Sequence, residues 1–244
     1  MTAVVEASGL CAGYDRASVV RDLDLEVRAG EVVALLGPNG VGKTTTLLTL
    51  AGELHPLSGE VRFLGDPAAG PLHRRAKRGL ALVTEERSVL MGLTTRQNIR
   101  LARCDVAPVA GIFPELKPLL SRRAGLMSGG EQQMLTLGRA LARKHLKLLL
   151  ADELSLGLAP QATGRLLAAV RAAADRGVAA LLVEQHLHRV LQVADRVYVL
   201  AQGRIRYAAS AEQAREQVGE IQAHYLGSSG IAGSQSDNNT KGER

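Results

Sequence analysis

Val32-Val33-Ala34-Leu35-Leu36-Gly37-Pro38-Asn39-Gly40-Val41-Gly42-Lys43-Thr44-Thr45 is the stretch on which the fold turns. Its first five residues are continuously apolar and run into a Gly/Pro turn, the pattern of a strand buried on both faces of a parallel sheet. The nine residues from Gly37 to Thr45 then match a phosphate-binding loop, with four residues between Gly37 and Gly42 and a terminal Lys-Thr. Glycines let the backbone turn so that N–H groups converge on phosphate oxygens, and the helix that follows offers its N-terminus to the same anion. Pro38, Asn39, Gly40 and Val41 complete the loop. Lys43 is expected to reach the β- and γ-phosphates of a nucleotide, and Thr44 to ligate Mg²⁺.

Three more apolar runs, Leu148–Ala151, Ala179–Val183 and Val197–Leu200, read as buried strands, and Asp22–Arg28 alternates as a half-buried strand does. Helical stretches lie between them, which points to an α/β core with right-handed crossovers. Residues 86–145 are richer in Arg, Leu and Ala, lack a long β-branched run, and read as a helical insertion. Residues 228–244 are polar and rich in Gly, Ser and Asn, and are expected to be a disordered tail. The run Leu148–Ala151 ends in Asp152-Glu153. A buried strand that delivers a carboxylate to its C-terminal edge suits a second Mg²⁺ contact at Asp152. Glu153 can then act as general base on the attacking water.

The chain has 244 residues, 46% of them hydrophobic and 22% charged, which excludes a wholly disordered, collagen-like or disulfide-scaffold protein. No stretch approaches the about 18 uninterrupted apolar residues of a membrane span, and Met1–Leu10 do not read as a signal peptide. Cys11 and Cys104 are too few for a disulfide framework and read as two reduced core thiols. Aromatic residues make up 2%, so stacking platforms for single-stranded nucleic acid are scarce. The formal charge of +6 suits an anionic partner without choosing one. Two basic clusters stand out. Arg74, Arg75, Lys77 and Arg78 read as a solvated face, and Arg143, Lys144, His145 and Lys147 as a helix end whose cations meet terminal carbonyls.

Met127-Ser128-Gly129-Gly130-Glu131-Gln132-Gln133 supplies a second Ser-Gly-Gly helix start, hence a second anion site. One nucleotide already has its phosphates held by the Gly37–Thr45 loop. A second phosphate-binding helix start is therefore most useful in trans, on another subunit's nucleotide.

With these pieces in this order, from about residue 4 to 227, the chain resembles the ATP-binding-cassette ATPases. Glu85 with Arg87, the run Thr94–Asn98, Met127–Met134, Ser155–Pro160, Val183-Glu184-Gln185 and Tyr225-Leu226-Gly227 resemble the importers of branched-chain amino acids. The resemblance implies a P-loop NTPase: a RecA-like parallel-sheet core with an N-terminal antiparallel β subdomain and an inserted α-helical subdomain. The cassette would span 1–227. It implies ATP and Mg²⁺ as cofactors, integral-membrane permease subunits and a second cassette as partners, and an indirect link to an extracytoplasmic solute-binding protein. The place of work would be the cytoplasmic face of the cell membrane, with no nucleic acid bound. By position, Tyr14 would stack on adenine, Glu85 would meet Mg²⁺ or its water, and Ser128, Gly129, Gly130 and Glu131 would serve the second nucleotide. Gln185 stands where most cassettes carry a histidine that contacts the γ-phosphate, and His186 is not that residue. Leu154 replaces a family proline beside Glu153, and the expected effect is a looser turn. Residues 98–113 are shorter than usual for the family. Two alternatives follow: a degenerate, regulatory half of a heterodimeric pair, motivated by Leu154 and Gln185, and a soluble cassette acting on nucleic acid or ribosomes.

Overall fold

The computed structural model describes residues 3–15, 17–67, 70–86, 88–219 and 221. Arg87, Tyr225-Leu226-Gly227 and the 228–244 tail lie outside the described residues. In chain order the elements are β1 (Ala3–Tyr14), β2 (Ala17–Arg28), β3 (Val32–Leu36), α1 (Lys43–Ala51), β4 (Ser58–Phe63), α2 (Leu72–Lys77), β5 (Leu80–Val83), α3 (Thr95–Leu101), α4 (Val106–Ile112), α5 (Gly129–Leu141), β6 (Leu148–Asp152), α6 (Pro160–Ala174), β7 (Ala179–Glu184), α7 (Leu187–Val190), β8 (Arg196–Ala201), β9 (Arg204–Ser210) and α8 (Ala211–Glu216).

Six strands form one sheet in the order β5-β6-β7-β3-β8-β9, parallel except for β9. The apolar runs seen in the sequence have a simple cause. Val32, Ala34 and Leu36 of β3 enter one core while Val33 and Leu35 enter another, and β6 and β7 divide their residues in the same way. A strand covered on both faces has no position left for a polar residue until it ends. Register sets Leu36 beside Glu184 and Asp152 beside Val183, so β3, β6 and β7 end level with one another. Loops leaving these carboxyl ends line the crevice where open α/β sheets bind ligands.

A second, antiparallel sheet runs β2-β1-β4. Between the two sheets lies α1, whose Leu47, Leu50 and Ala51 share a core with Val5, Leu10, Leu23 and Leu25 on one side and Val33, Leu35 and Leu150 on the other. The parallel core with an added antiparallel sheet agrees with the fold expected from the sequence. Between the neighbouring strands β5 and β6 come α3, α4, α5 and two short 3₁₀ turns, whose Ile99, Val109, Phe113, Leu116 and Leu135 pack into the first core. Gly138 allows the close approach of α4 and α5. A Cβ there would lie 3.0 Å from Val109 and 3.1 Å from Phe113.

Three surface expectations are corrected. Cys11 and Cys104 are free, but half-buried rather than in the core. Arg75 is buried and donates to the carbonyls of Leu50 and Gly70, while Arg78 pairs with Asp66 at 2.6 Å and lies over the Phe63 ring. Arg74, Lys77 and Arg78 stay exposed, as the expected solvated face requires; only Arg75 departs from it, because the α2 turn folds its guanidinium back onto backbone carbonyls. Arg143 donates to the carbonyls of Ala76 and Leu80, tying α5 to α2 and β5 instead of closing its own helix end.

Candidate functional site

The loop after β3 carries the positive φ angles its glycines were chosen for. Gly40 is at φ 77° and Gly42 at φ 109°, a region that L side chains rarely adopt. A Cβ on Gly42 would also stand 2.7 Å from Val20 Cγ2. Gly42 caps α1 without a side-chain hydrogen bond, which leaves the first N–H groups of that helix open to an anion. Within the loop, Lys43 Nζ donates to the carbonyls of Gly37 at 2.8 Å and Pro38 at 3.0 Å. Lys43 is only 5% exposed, and burial pushes its pKa down against the opposing charges of Glu153, Asp152 and Glu184. A cation held this way, on weak neutral acceptors and close to acids, is prepared to exchange them for phosphate oxygens.

At the end of β6, Asp152 is 3% exposed. Its Oδ2 accepts from Thr44 Oγ1 at 2.7 Å, and its Oδ1 is buried with no hydrogen-bond partner. Burial pushes this carboxyl's pKa up. The Thr44 hydrogen bond opposes that shift, and the Glu153 charge adds to it. An orphaned carboxylate oxygen beside a hydroxyl, with Glu85 on the same cavity wall as Thr44, fits a hard cation. Among the described residues no group of three or more His, Cys, Asp and Glu could hold a metal by itself. Such a donor set suits Mg²⁺, which binds through one or two protein oxygens and takes the rest from phosphates and water.

Glu153 follows at φ 49°, in the left-handed region that costs a non-glycine residue on the order of 1 kcal/mol. Its N–H donates to Val183 O at 2.9 Å, and its Oε1 accepts from Gln185 Nε2 at 2.6 Å. Leu154 is 2% exposed and packs in the larger core. The turn that was expected to be loose is therefore anchored by a buried leucine in place of a proline ring.

A cavity of about 350 Å³ gathers Asn39, Gly40, Gly42, Lys43, Thr44, Thr45, Glu85, Glu153 and Gln185 of the residues singled out from the sequence. Asp152 joins through Thr44. Val19 and Leu156 also line it; Val19 was missed, and Leu156 falls within the Ser155–Pro160 run, where no role at the site is expected of it. Val19 arrives from the second sheet, and no pattern along the chain signals that approach. Tyr14, half exposed at the end of β1, is not among the lining residues. His186 is an exposed residue at the start of α7. Ser128, Gly129, Gly130 and Glu131 lie outside this cavity as well. Ser128 caps α5 in a reciprocal box, its N–H donating to Glu131 Oε2 at 2.7 Å and its Oγ accepting from Glu131 N at 3.3 Å. The next residues, Gln132 and Gln133, line an adjoining cavity of about 410 Å³ whose other walls include Glu85 and Glu153.

The sequence profile of the family described as ABC transporter matches residues 20–155, which run from β2 through the loop, α5 and the acid-ended strand. The chain belongs to that family. It is 41% identical over 202 residues to the high-affinity branched-chain amino acid transport ATP-binding protein BraG of Pseudomonas aeruginosa, covering 79% of this chain and 86% of that protein. It is 31% identical to the lipopolysaccharide export system ATP-binding protein LptB of Acidithiobacillus ferridurans, covering 87% of this chain and 92% of that one. Among solved structures, the ATP-binding subunit of an ABC transporter superposes with a TM-score of 0.78 at 27% identity, over 93% of this chain and 99% of its own. The cassette thus binds ATP and hydrolyses it in the service of transport. No helix among the described residues is long and apolar enough to cross a membrane.

Proposed function

We propose that this cassette drives uptake of branched-chain amino acids or related amides, from the cytoplasmic face of the cell membrane. It would act with integral-membrane permease subunits, a second cassette and, indirectly, an extracytoplasmic solute-binding protein. The pairing of Thr44 with Asp152, one oxygen of which is left orphaned beside Glu153, carries the hydrolytic part. The solute class rests on the likeness to the Pseudomonas protein.

In this mechanism the α1 N-terminus and the Gly37–Thr45 loop hold the phosphates, and Lys43 leaves its loop carbonyls for the β- and γ-oxygens. Thr44, Asp152 and Glu85 would hold Mg²⁺, which when bound neutralises charge developing on the phosphates. Glu153 accepts the proton of the attacking water, while Gln185 orients that carboxylate and meets the γ-phosphate. Tyr14 stacks on adenine. The helix start at Ser128–Glu131, outside this chain's own cavity, would close on the ATP of the opposing cassette. ATP binding then shuts the pair and moves the permease, and hydrolysis through Glu153 reopens it.

The test is capture of the Glu153→Gln variant, with ATP and Mg²⁺, from gently solubilised membranes of the native cell, together with leucine uptake in cells lacking the chain. Recovery of permease subunits and a second cassette, with uptake restored by the wild type and not by Glu153→Gln, is the expected result. Intact uptake, or recovery with an export assembly, ribosomes or nucleic acid, would contradict it.

A further inference from the structure

Among the acids around the site, Glu184 has no part in the steps above, yet it is 2% exposed at the last position of β7. Burying a carboxylate is costly unless its oxygens are satisfied. Both oxygens of Glu184 are satisfied by one residue. Oε1 accepts from Ser155 N at 3.2 Å and Oε2 from Ser155 Oγ at 2.8 Å. Ser155 is buried too, two positions beyond Glu153. Burial pushes the Glu184 carboxyl's pKa up while the Ser155 hydrogen bonds pull it down, with the Glu153 charge raising it and Arg189 lowering it.

The consequence is geometric. Three successive residues at the end of β7 grip the turn after β6 at three points: Val183 O takes the N–H of Glu153, Glu184 takes both donors of Ser155, and Gln185 donates to the Glu153 carboxylate. Glu153 itself sits at φ 49°. An uncommon backbone conformation persists only where its surroundings over-determine it. The main-chain bond on one side of Glu153 and the Ser155 tie on the other bracket that conformation, with Leu154 pinned in the core between them. While Ser155 is held, the backbone that carries the Glu153 side chain is held on both sides. The same tie fixes the strand end from which Gln185 reaches out.

We propose that Glu184 and Ser155 form a positioning pair that aims the Glu153 carboxylate, replacing the rigidity that a proline at position 154 would give. The inference rests on Glu153 being the general base. It also extends to the turn that follows, since Leu156 N donates to Glu153 O and Leu158 N to Ser155 O. Release of Ser155 would therefore disturb residues 155–158 along with the acid.

Steady-state ATP hydrolysis and ATP binding by the purified chain test it, with turnover expressed per bound ATP so that unfolded protein does not count. Glu184→Ala should lower kcat by at least about tenfold, as loss of aim does, with KM and ATP affinity within about twofold of wild type. Glu184→Gln should stay within about threefold of wild type, because its amide oxygen can accept from Ser155 N and its NH₂ can donate to Ser155 Oγ. Ser155→Ala, the milder lesion, should fall between them, and the double variant should be no slower than Glu184→Ala, as expected for two halves of one interaction. Wild-type kcat in Ser155→Ala, a Glu184→Gln variant as slow as Glu184→Ala, or a loss of ATP affinity matching the loss of kcat would each overturn the pair. Should Glu184→Ala fail to fold, Ser155→Ala and Glu184→Gln still decide. Glu153→Gln runs alongside. If it turns over like wild type, the general-base assignment fails; if it is inactive while Ser155→Ala and Glu184→Ala are fast, only the positioning pair fails.

Discussion

Replacing Asp152 with asparagine should make the nucleotide-free protein more stable while destroying its function. Asp152 is 3% exposed, its Oδ1 has no partner, and burial raises its pKa despite the Thr44 hydrogen bond and the nearby Lys43 charge. The raised value means that, with every neighbour counted, the charged form is less favourable in the fold than in the unfolded chain. A carboxyl shifted upward destabilises the fold fully above its folded pKa, and that penalty fades as pH falls from the folded value to the ordinary value near 4. An uncompensated buried polar atom costs about 1–3 kcal/mol. In the Asp152→Asn variant the neutral amide keeps an acceptor for Thr44 but leaves its own NH₂ poorly served, so a gain of about 1–2 kcal/mol is expected, or roughly 3–6 °C in a chain of this size. Thermal unfolding without nucleotide, from pH 8 down to pH 4, is the assay. The variant's advantage should be greatest at neutral and alkaline pH and shrink towards pH 4. With ATP and Mg²⁺ at about 100 times Kd, wild type should gain about 2.7 kcal/mol and overtake the variant, which has lost a metal oxygen. A variant less stable than wild type without nucleotide, or an advantage independent of pH, would refute the reasoning.

Gly37→Ala sets a Cβ 2.3 Å from the carbonyl oxygen of Leu200, a backbone atom that cannot move aside. A loss of about 1–3 kcal/mol in thermal unfolding, with weakened ATP binding, is expected. Lys43→Ala should weaken ATP binding roughly 10- to 100-fold, the worth of a hydrogen bond to a charged group, as measured by fluorescent-nucleotide titration. Leu154→Ala opens a void in the larger core and frees the turn beside Glu153. Denaturant unfolding should show a loss of about 2–5 kcal/mol, and turnover per folded molecule should fall as well.

Much of the site was legible because its local chemistry is dictated one residue after another. Gly40 and Gly42 occupy backbone conformations that glycine tolerates best, and Val32–Leu36 is apolar throughout because two cores claim its alternate side chains. The acid-ended strand was legible for a related reason, since β6 has to become polar where it leaves the sheet. What stayed hidden depends on contacts between elements distant in the chain. Val19 reaches the cavity because β2 belongs to a sheet laid across α1. Arg75 looks like a surface cation in sequence and Arg143 like one that serves its own helix end, yet their guanidinium groups serve carbonyls of other elements. Leu154 reads as a missing proline until its side chain is found in the core. Nothing along the chain gives Glu184 a partner, and only the fold brings Ser155 from 29 positions away to bury it.

The most direct test of the proposed chemistry is phosphate release by the purified cassette at saturating ATP and Mg²⁺, wild type against Glu153→Gln, with bound ATP measured in the same samples. Loss of at least about 100-fold in turnover with ATP still bound is expected if the carboxylate at φ 49° is the general base. Turnover equal to wild type in Glu153→Gln would contradict that assignment.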